Sequence, residues 1–234
     1  MNSLPNNTNP SVYGSGSSAL SRNTVLRNTY WLLALSLVPT VLGAWAGLTM
    51  GFSQLIGGSP FMSVILFLGI SFGFFFAIDK FKTSGIGVAL LLAFTFFMGV
   101  WLSMLIGRTL SFTNGPQLVM TAFGGTAAIF GVMATIATVS KRDFSGMGKW
   151  LMMGMLVIIV AAIANIWLQL PALSLTISVI AIMVFSAYML YDVQRVVNGG
   201  ETNYISATLA IYLDIYNVFT SLLQILGIVG GDRD

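Results

Sequence analysis

Residues 205–229, ISATLAIYLDIYNVFTSLLQILGIV, form a long apolar run that carries a single charge, Asp214. A helix needs about 20 mostly apolar residues to cross the hydrocarbon core of a bilayer, so the stretch predicts a transmembrane helix. A carboxylate at that depth costs roughly 2.5 to 3.5 kcal/mol on insertion scales and is seldom kept without a partner or a task. The preceding apolar run, 172–191, stops directly at a second acid, Asp192.

Working outward, similar runs cover 25–48, 61–78, 85–106, 117–139 and 147–168, which makes seven in all. Hydrophobic residues make up 56% of the 234 and charged residues 7%, too little polar surface to solvate a water-soluble domain of this size. The fold class is an all-α membrane protein of seven transmembrane helices. Pro60, Pro116 and Pro171 stand where a helix can begin, because the missing N–H of proline would be an orphan there anyway. Pro39 falls inside the first run and predicts a kink, with the freed carbonyl satisfied by neighbouring helices.

Lysine and arginine set the orientation. Arg22, Arg27, Lys80, Lys82, Lys141, Arg142, Lys149 and Arg195 fall on the side of the N-terminus, and only Arg108 and Arg233 on the other. This positive-inside bias places the N-terminus in the cytoplasm and, with seven spans, the C-terminus outside. Three segments follow: a polar, disordered cytoplasmic tail over 1–23, a transmembrane domain over 24–230, and a short C-terminal tail over 231–234. The tail is no signal peptide, since the first apolar run is too long for one and six more spans come after it. The net charge of +3 describes loop topology and resembles no nucleic-acid patch.

Asp214, Asn217, Ser221 and Gln224 step by three, four and three residues, which puts all four on one face of the seventh helix. A polar stripe on an otherwise apolar span predicts a buried helix, here a central last helix ringed by the other six. The connection 198–203 is short, so the sixth and seventh helices should be antiparallel neighbours whose aspartates can meet. Two touching carboxyls cannot easily both ionise, and the pair should hold one proton over some pH range. That makes Asp192 and Asp214 a candidate pH sensor and ion site, with oxygen ligands that favour Ca²⁺. Alternatively the pair is structural, each acid satisfied by nearby tyrosine hydroxyls or backbone groups, such as those of Tyr188, Tyr191, Tyr212 and Tyr216. Arg195, one turn beyond Asp192, either holds that acid ionised or snorkels to lipid headgroups. Thr121, Gly124, Ala128 and Gly131 form a small-residue stripe that suggests close helix packing, and Asn165 is placed to donate across helices.

The chain has no cysteine and no histidine, which excludes disulfides, thiolate chemistry and the usual zinc sites. There is no nucleotide loop, catalytic triad or redox centre, and no resident cofactor is expected. An intramembrane aspartyl protease needs two membrane aspartates, but Tyr212-Leu213 precedes Asp214 where that class has Gly-x-Gly. No enzymatic activity is expected.

Tyr191-Asp192-Val193-Gln194 together with Leu213-Asp214-Ile215-Tyr216-Asn217 resembles the paired signature of the Bax inhibitor (TMBIM) family. Val25-Leu26-Arg27-Asn28-Thr29-Tyr30, the segment Ala164 to Leu173, and Gly199-Gly200-Glu201-Thr202-Asn203-Tyr204-Ile205 are similar to its bacterial YccA branch. The resemblance covers about residues 22–230. It implies a seven-helix fold with a central last helix, a bacterial inner-membrane location, and a di-aspartyl pH sensor at Asp192 and Asp214 linked to a proton-regulated Ca²⁺ leak. Family members with that leak tend to carry a basic residue in the second span, whereas 61–78 here has no charge. The YccA branch implies a role of another class, restraint of the membrane AAA+ protease FtsH as a poor substrate. The tail Met1 to Asn23 would then be the handle by which the protease grips the chain.

Overall fold

In a computed structural model, residues 11–56 and 60–231 are described, with side chains described from Arg22 onward except Leu55 and Pro60. Eight α-helices follow in order: α1 Ser11–Thr49, α2 Phe52–Ile56, α3 Pro60–Phe81, α4 Gly85–Leu110, α5 Gly115–Val139, α6 Gly148–Leu168, α7 Pro171–Val197 and α8 Tyr204–Gly230. All but the short α2 are long and apolar enough to span a bilayer, which gives the seven expected spans. No strand occurs among the described residues.

Local chemistry explains several boundaries. Asn203 caps α8, its side-chain oxygen accepting from the backbone N–H groups of Ile205 and Ser206, the usual way of satisfying orphan donors at a helix start. Gln169 ends α6 in the left-handed conformation at φ 50°. Asn165 holds that turn, accepting from Leu170 N–H at 3.0 Å and donating to Ser174 Oγ at 2.7 Å across to α7, the inter-helix role expected of it.

Some elements differ from the sequence reading. α7 runs six residues past 191, because the charge at Asp192 is held against protein rather than marking a helix end. α2 has no counterpart in the apolar runs, being too short to show one; its Phe52 ring packs edge-on against Trp101. α1 begins at Ser11, so 11–23 of the expected tail is helix, while 1–10 lie outside the described residues. Extending an existing helix costs far less than nucleating one, and the 39 residues of α1 extend about 58 Å against about 30 Å of hydrocarbon, so its first turns project beyond the bilayer. Of the C-terminal segment 231–234, residues 232–234 also lie outside the described ones. The helix remains unbroken through Pro39.

α8 packs against α1, α3, α4, α5 and α7, while α6 packs on α7. The last helix is therefore widely contacted, but six helices ringing it is not the arrangement these contacts draw. The most extensive pairing is α1 with α4, and glycines make it. A Cβ on Gly99 would fall into the Thr40 carbonyl, one on Gly43 into the Phe96 carbonyl, and one on Gly47 into the Ser103 hydroxyl. Lipid is as apolar as leucine, so such close backbone approach supplies much of the association between membrane helices. Around α8 the core is built from Leu91, Phe94, Met98, Ile211 and Tyr212, with a second cluster of Ala181, Phe185, Met189 and Val218 between α7 and α8.

The small-residue stripe of α5 is not a packing face. A Cβ on Gly124 or Gly131 would meet nothing within 4 Å, and Thr121 and Ala128 are exposed. The buried face of α5 is instead Leu118, Ala122 and Thr126, offset from that stripe, because spacing alone does not say which of two small-residue faces meets a neighbour. Gly99→Ala is expected to cost about 1 to 3 kcal/mol through overpacking, whereas Gly124→Ala should be neutral or slightly stabilising. Detergent-induced unfolding of the two purified variants checks this, and equal midpoints would contradict the assigned interface.

Candidate functional site: the acid pair of α7 and α8

Asp214 lies ten residues into α8, about 15 Å along its axis, and is 4% exposed. Asp192 lies near the end of α7, its side chain 12% exposed. The antiparallel packing of α7 on α8 brings the two into the same part of the bundle, near enough for each carboxyl to feel the other's charge. Carboxylates are acceptors only, so a hydrogen bond between these groups requires a proton on one of them. Oδ2 of Asp214 has no protein partner among the described residues, and an oxygen buried in that state is costly unless a proton or a cation meets it.

Two of the four nearby tyrosines spend their hydroxyls elsewhere. The Tyr212 hydroxyl is bonded to Thr40 Oγ1 at 2.8 Å, and the Tyr216 hydroxyl donates to the Met98 carbonyl at 3.2 Å. Both face away from the acids. Tyr188 lies near both carboxyls, while Tyr191 packs under Arg195, whose guanidinium carbon is 5.7 Å from the ring centroid.

Arg195 does more than snorkel. Its Nη1 is 3.6 Å from Asp192 Oδ1 and its Nη2 is 3.5 Å from Glu201 Oε2, so one guanidinium joins the acid of α7 to the α7–α8 loop. The loop is fixed at other points as well. Gly199 adopts φ 77° after the helix end, the left-handed conformation glycine tolerates best. Glu201 Oε1 accepts from Asn203 N–H at 2.9 Å, and Asn203 Nδ2 donates to the Lys82 carbonyl at 2.8 Å.

Glu201 and Gln194 were not singled out from the sequence. Gln194, 3% exposed, accepts from Phe144 N–H and donates to the Arg142 carbonyl, both at 2.7 Å, and so ties the α5–α6 loop to the turn of helix that carries Asp192. A polar side chain next to the apolar Val193, at the end of a span, was the available signal.

The stripe on α8 is only partly gathered. Asp214 and Ser221 are buried, but Asn217 donates to its own helix at the Leu213 carbonyl, 2.8 Å away. Gln224 is exposed and accepts from Ser178 of α7 at 3.1 Å. Asp79 and Asp143 behave as surface groups. Lys82 Nζ meets Asp79 at 2.6 Å, which raises the Lys82 pKa, and the N–H and hydroxyl of Ser145 hold the Asp143 carboxyl below its usual range. Among the described residues no cluster of three or more His, Cys, Asp or Glu is placed to hold a metal ion.

Comparison with known proteins places this geometry in a family. The model of the family described as "Inhibitor of apoptosis-promoting Bax1" matches residues 22–231. The chain is 39% identical over 92% of its length to the "Modulator of FtsH protease YccA" of Escherichia coli K12, covering 94% of that protein. It is 38% identical over 91% of its length to an uncharacterized membrane protein of Vibrio cholerae, covering 93% of it, and 36% identical over 94% to an uncharacterized protein of Neisseria meningitidis, covering 98%. With a match across nearly all its spans and relatives aligned almost end to end, the chain belongs to the Bax inhibitor family of multi-pass membrane proteins.

Proposed function

We propose that this protein is a bacterial inner-membrane modulator of the FtsH protease, acting as a negative regulator and poor substrate, and that its Asp192–Asp214 pair is a pH-responsive site supporting a Ca²⁺ leak. It has no catalytic role. The protease reading is supported by the Escherichia coli relative, which is named a modulator of FtsH protease and aligns over 92% of this chain. The ion reading is supported by one observation above all, a pair of acids on adjacent helices with the deeper one buried and one of its carboxylate oxygens unpartnered.

The mechanism follows from charge. With one proton held between them, the two carboxyls hydrogen-bond and draw the adjoining turns of α7 and α8 together. Loss of that proton leaves two negative charges in a low-dielectric setting, and either separation of the helices or entry of a cation relieves the repulsion. Two carboxylates fall well short of the six to eight oxygens that Ca²⁺ prefers, so the ion is a transient occupant and not a resident one. Arg195 competes with it for Asp192, and Glu201 shares that arginine, which sets how readily Asp192 is released. The positive end of the bundle faces the cytoplasm and the C-terminus lies outside, so the projecting start of α1, within the segment Met1 to Asn23, is presented to a protease that pulls from the inner side.

Ca²⁺ influx into proteoliposomes should rise as pH goes from about 6 to about 8, because deprotonation both opens the contact and attracts the cation. Asp192→Asn and Asp214→Asn should each abolish that dependence. Flux at background at every pH, or a pH dependence that survives in both variants, overturns the ion reading.

Deleting residues 2–20 should leave flux unchanged and remove the protein's effect on the degradation of other substrates by FtsH in reconstituted membranes. The Asp→Asn variants should keep that effect. A truncated chain that still restrains the protease would overturn the tail as handle, and a full-length chain with no effect would overturn the protease reading.

A further inference from the structure

Between α1 and α5 lies a lateral groove of about 580 Å³. The two helices pack on α4 and α8 rather than closely on one another, which leaves the gap. Leu37 and Val41 of α1 and Met120 and Phe123 of α5 form its exposed walls, and Tyr212 and Tyr216 of α8 form part of its floor. Both floor hydroxyls are already used within the protein, by Thr40 and by the Met98 carbonyl. Whatever fills the groove along this length must be apolar, since a polar group there would find no partner.

At one end the Tyr30 ring meets Phe130 edge-on with centroids 6.3 Å apart. Past that contact a second recess of about 350 Å³ opens, lined by Tyr30, Thr135, Thr138 and Val139, so Tyr30 borders both spaces. This end is basic. Arg27 stands one turn before Tyr30 on the same face of α1, and Lys141 and Arg142 follow directly on the end of α5. All three are exposed, and none forms an ion pair among the described residues. The neighbouring acid, Asp143, is engaged by Ser145.

We infer that the groove binds an anionic phospholipid, with an acyl chain along the α8 floor and the phosphate headgroup at Arg27 and Lys141. An apolar slot at membrane depth that turns polar and then positive at one end matches an amphiphile with a single anionic head. A smooth helix surface would hold lipid with no preference for charge; basic pockets between membrane helices select for it. Tyr30 fits the boundary, its ring against Phe130 and its side chain bordering both spaces. The site is separate from the acid pair, which lies on the other side of α8.

Native mass spectrometry of the purified full-length protein with equal amounts of phosphatidylglycerol and phosphatidylcholine, matched in acyl chains, tests this. Phosphatidylglycerol should be retained in preference. The Arg27→Ala/Lys141→Ala double variant should lose roughly 30-fold of that preference, the effect of two basic groups near a membrane surface. Lys149→Ala, an exposed basic residue at the start of α6, should keep it. Ala127→Trp fills the slot and should lower retention of both lipids; should that variant not fold, the charge variants still decide. Equal retention of the two lipids, or a phosphatidylglycerol preference that survives in the double variant, overturns the assignment.

Discussion

The close approach of α1 and α4 is the contact on which the rest of the bundle depends. In lipid no hydrophobic gain accompanies helix association, so the helices must offer contacts that lipid tails cannot. Gly43, Gly47 and Gly99 do so by letting one backbone lie against the other. With that pair locked, Thr40 of α1 meets the Tyr212 hydroxyl and Met98 of α4 meets the Tyr216 hydroxyl, which fixes the rotation of α8 about its own axis. That rotation decides where Asp214 points.

The other half of the bundle is organised by polar satisfaction. Asp192 is held by Arg195, while Oδ2 of Asp214 has no partner among the described residues. Around the pair the polar links are numerous: Arg195 reaches the α7–α8 loop through Glu201, Gln194 reaches the α5–α6 loop, and Asn203 reaches the end of α3. A change of charge at the pair therefore bears on two loops at the same face of the protein. Toward the opposite end of α7 and α8, a bond between Ser178 and Gln224 joins the two helices.

The sequence carried the spans well, because the cost of polar backbone in hydrocarbon forces long apolar runs that stand out in any chain. It also carried the acid pair, since charged residues inside such runs are rare enough to attract notice. Rotation was harder to read. The α5 stripe of Thr121, Gly124, Ala128 and Gly131 has the spacing of a packing face yet points outward, since small residues are tolerated against lipid as well as against a helix. Asn217 shares a face with Asp214 but bonds its own backbone, a choice that periodicity cannot foresee. Gln194 and Glu201 were missed for another reason. Their partners are loop backbone and a side chain six residues away, and those contacts exist only once the chain has folded back on itself.

α8 also separates two environments. Successive residues on a helix turn by about 100°, so Tyr212 and Asp214 point to nearly opposite sides. One side, through Tyr212 and Tyr216, floors a groove open to lipid; the other, through Asp214, meets an acid on α7 away from lipid. The hydroxyls of Tyr212 and Tyr216 are spent on α1 and α4, so no polar path is needed from the groove to the carboxyls, and Phe94 and Met98 fill the space behind them. Apolar filling of this kind keeps the groove and the carboxyls apart at the same depth. Any coupling between the two sides must pass through movement of α8 itself, and on the groove side such movement is resisted by two tyrosine hydrogen bonds.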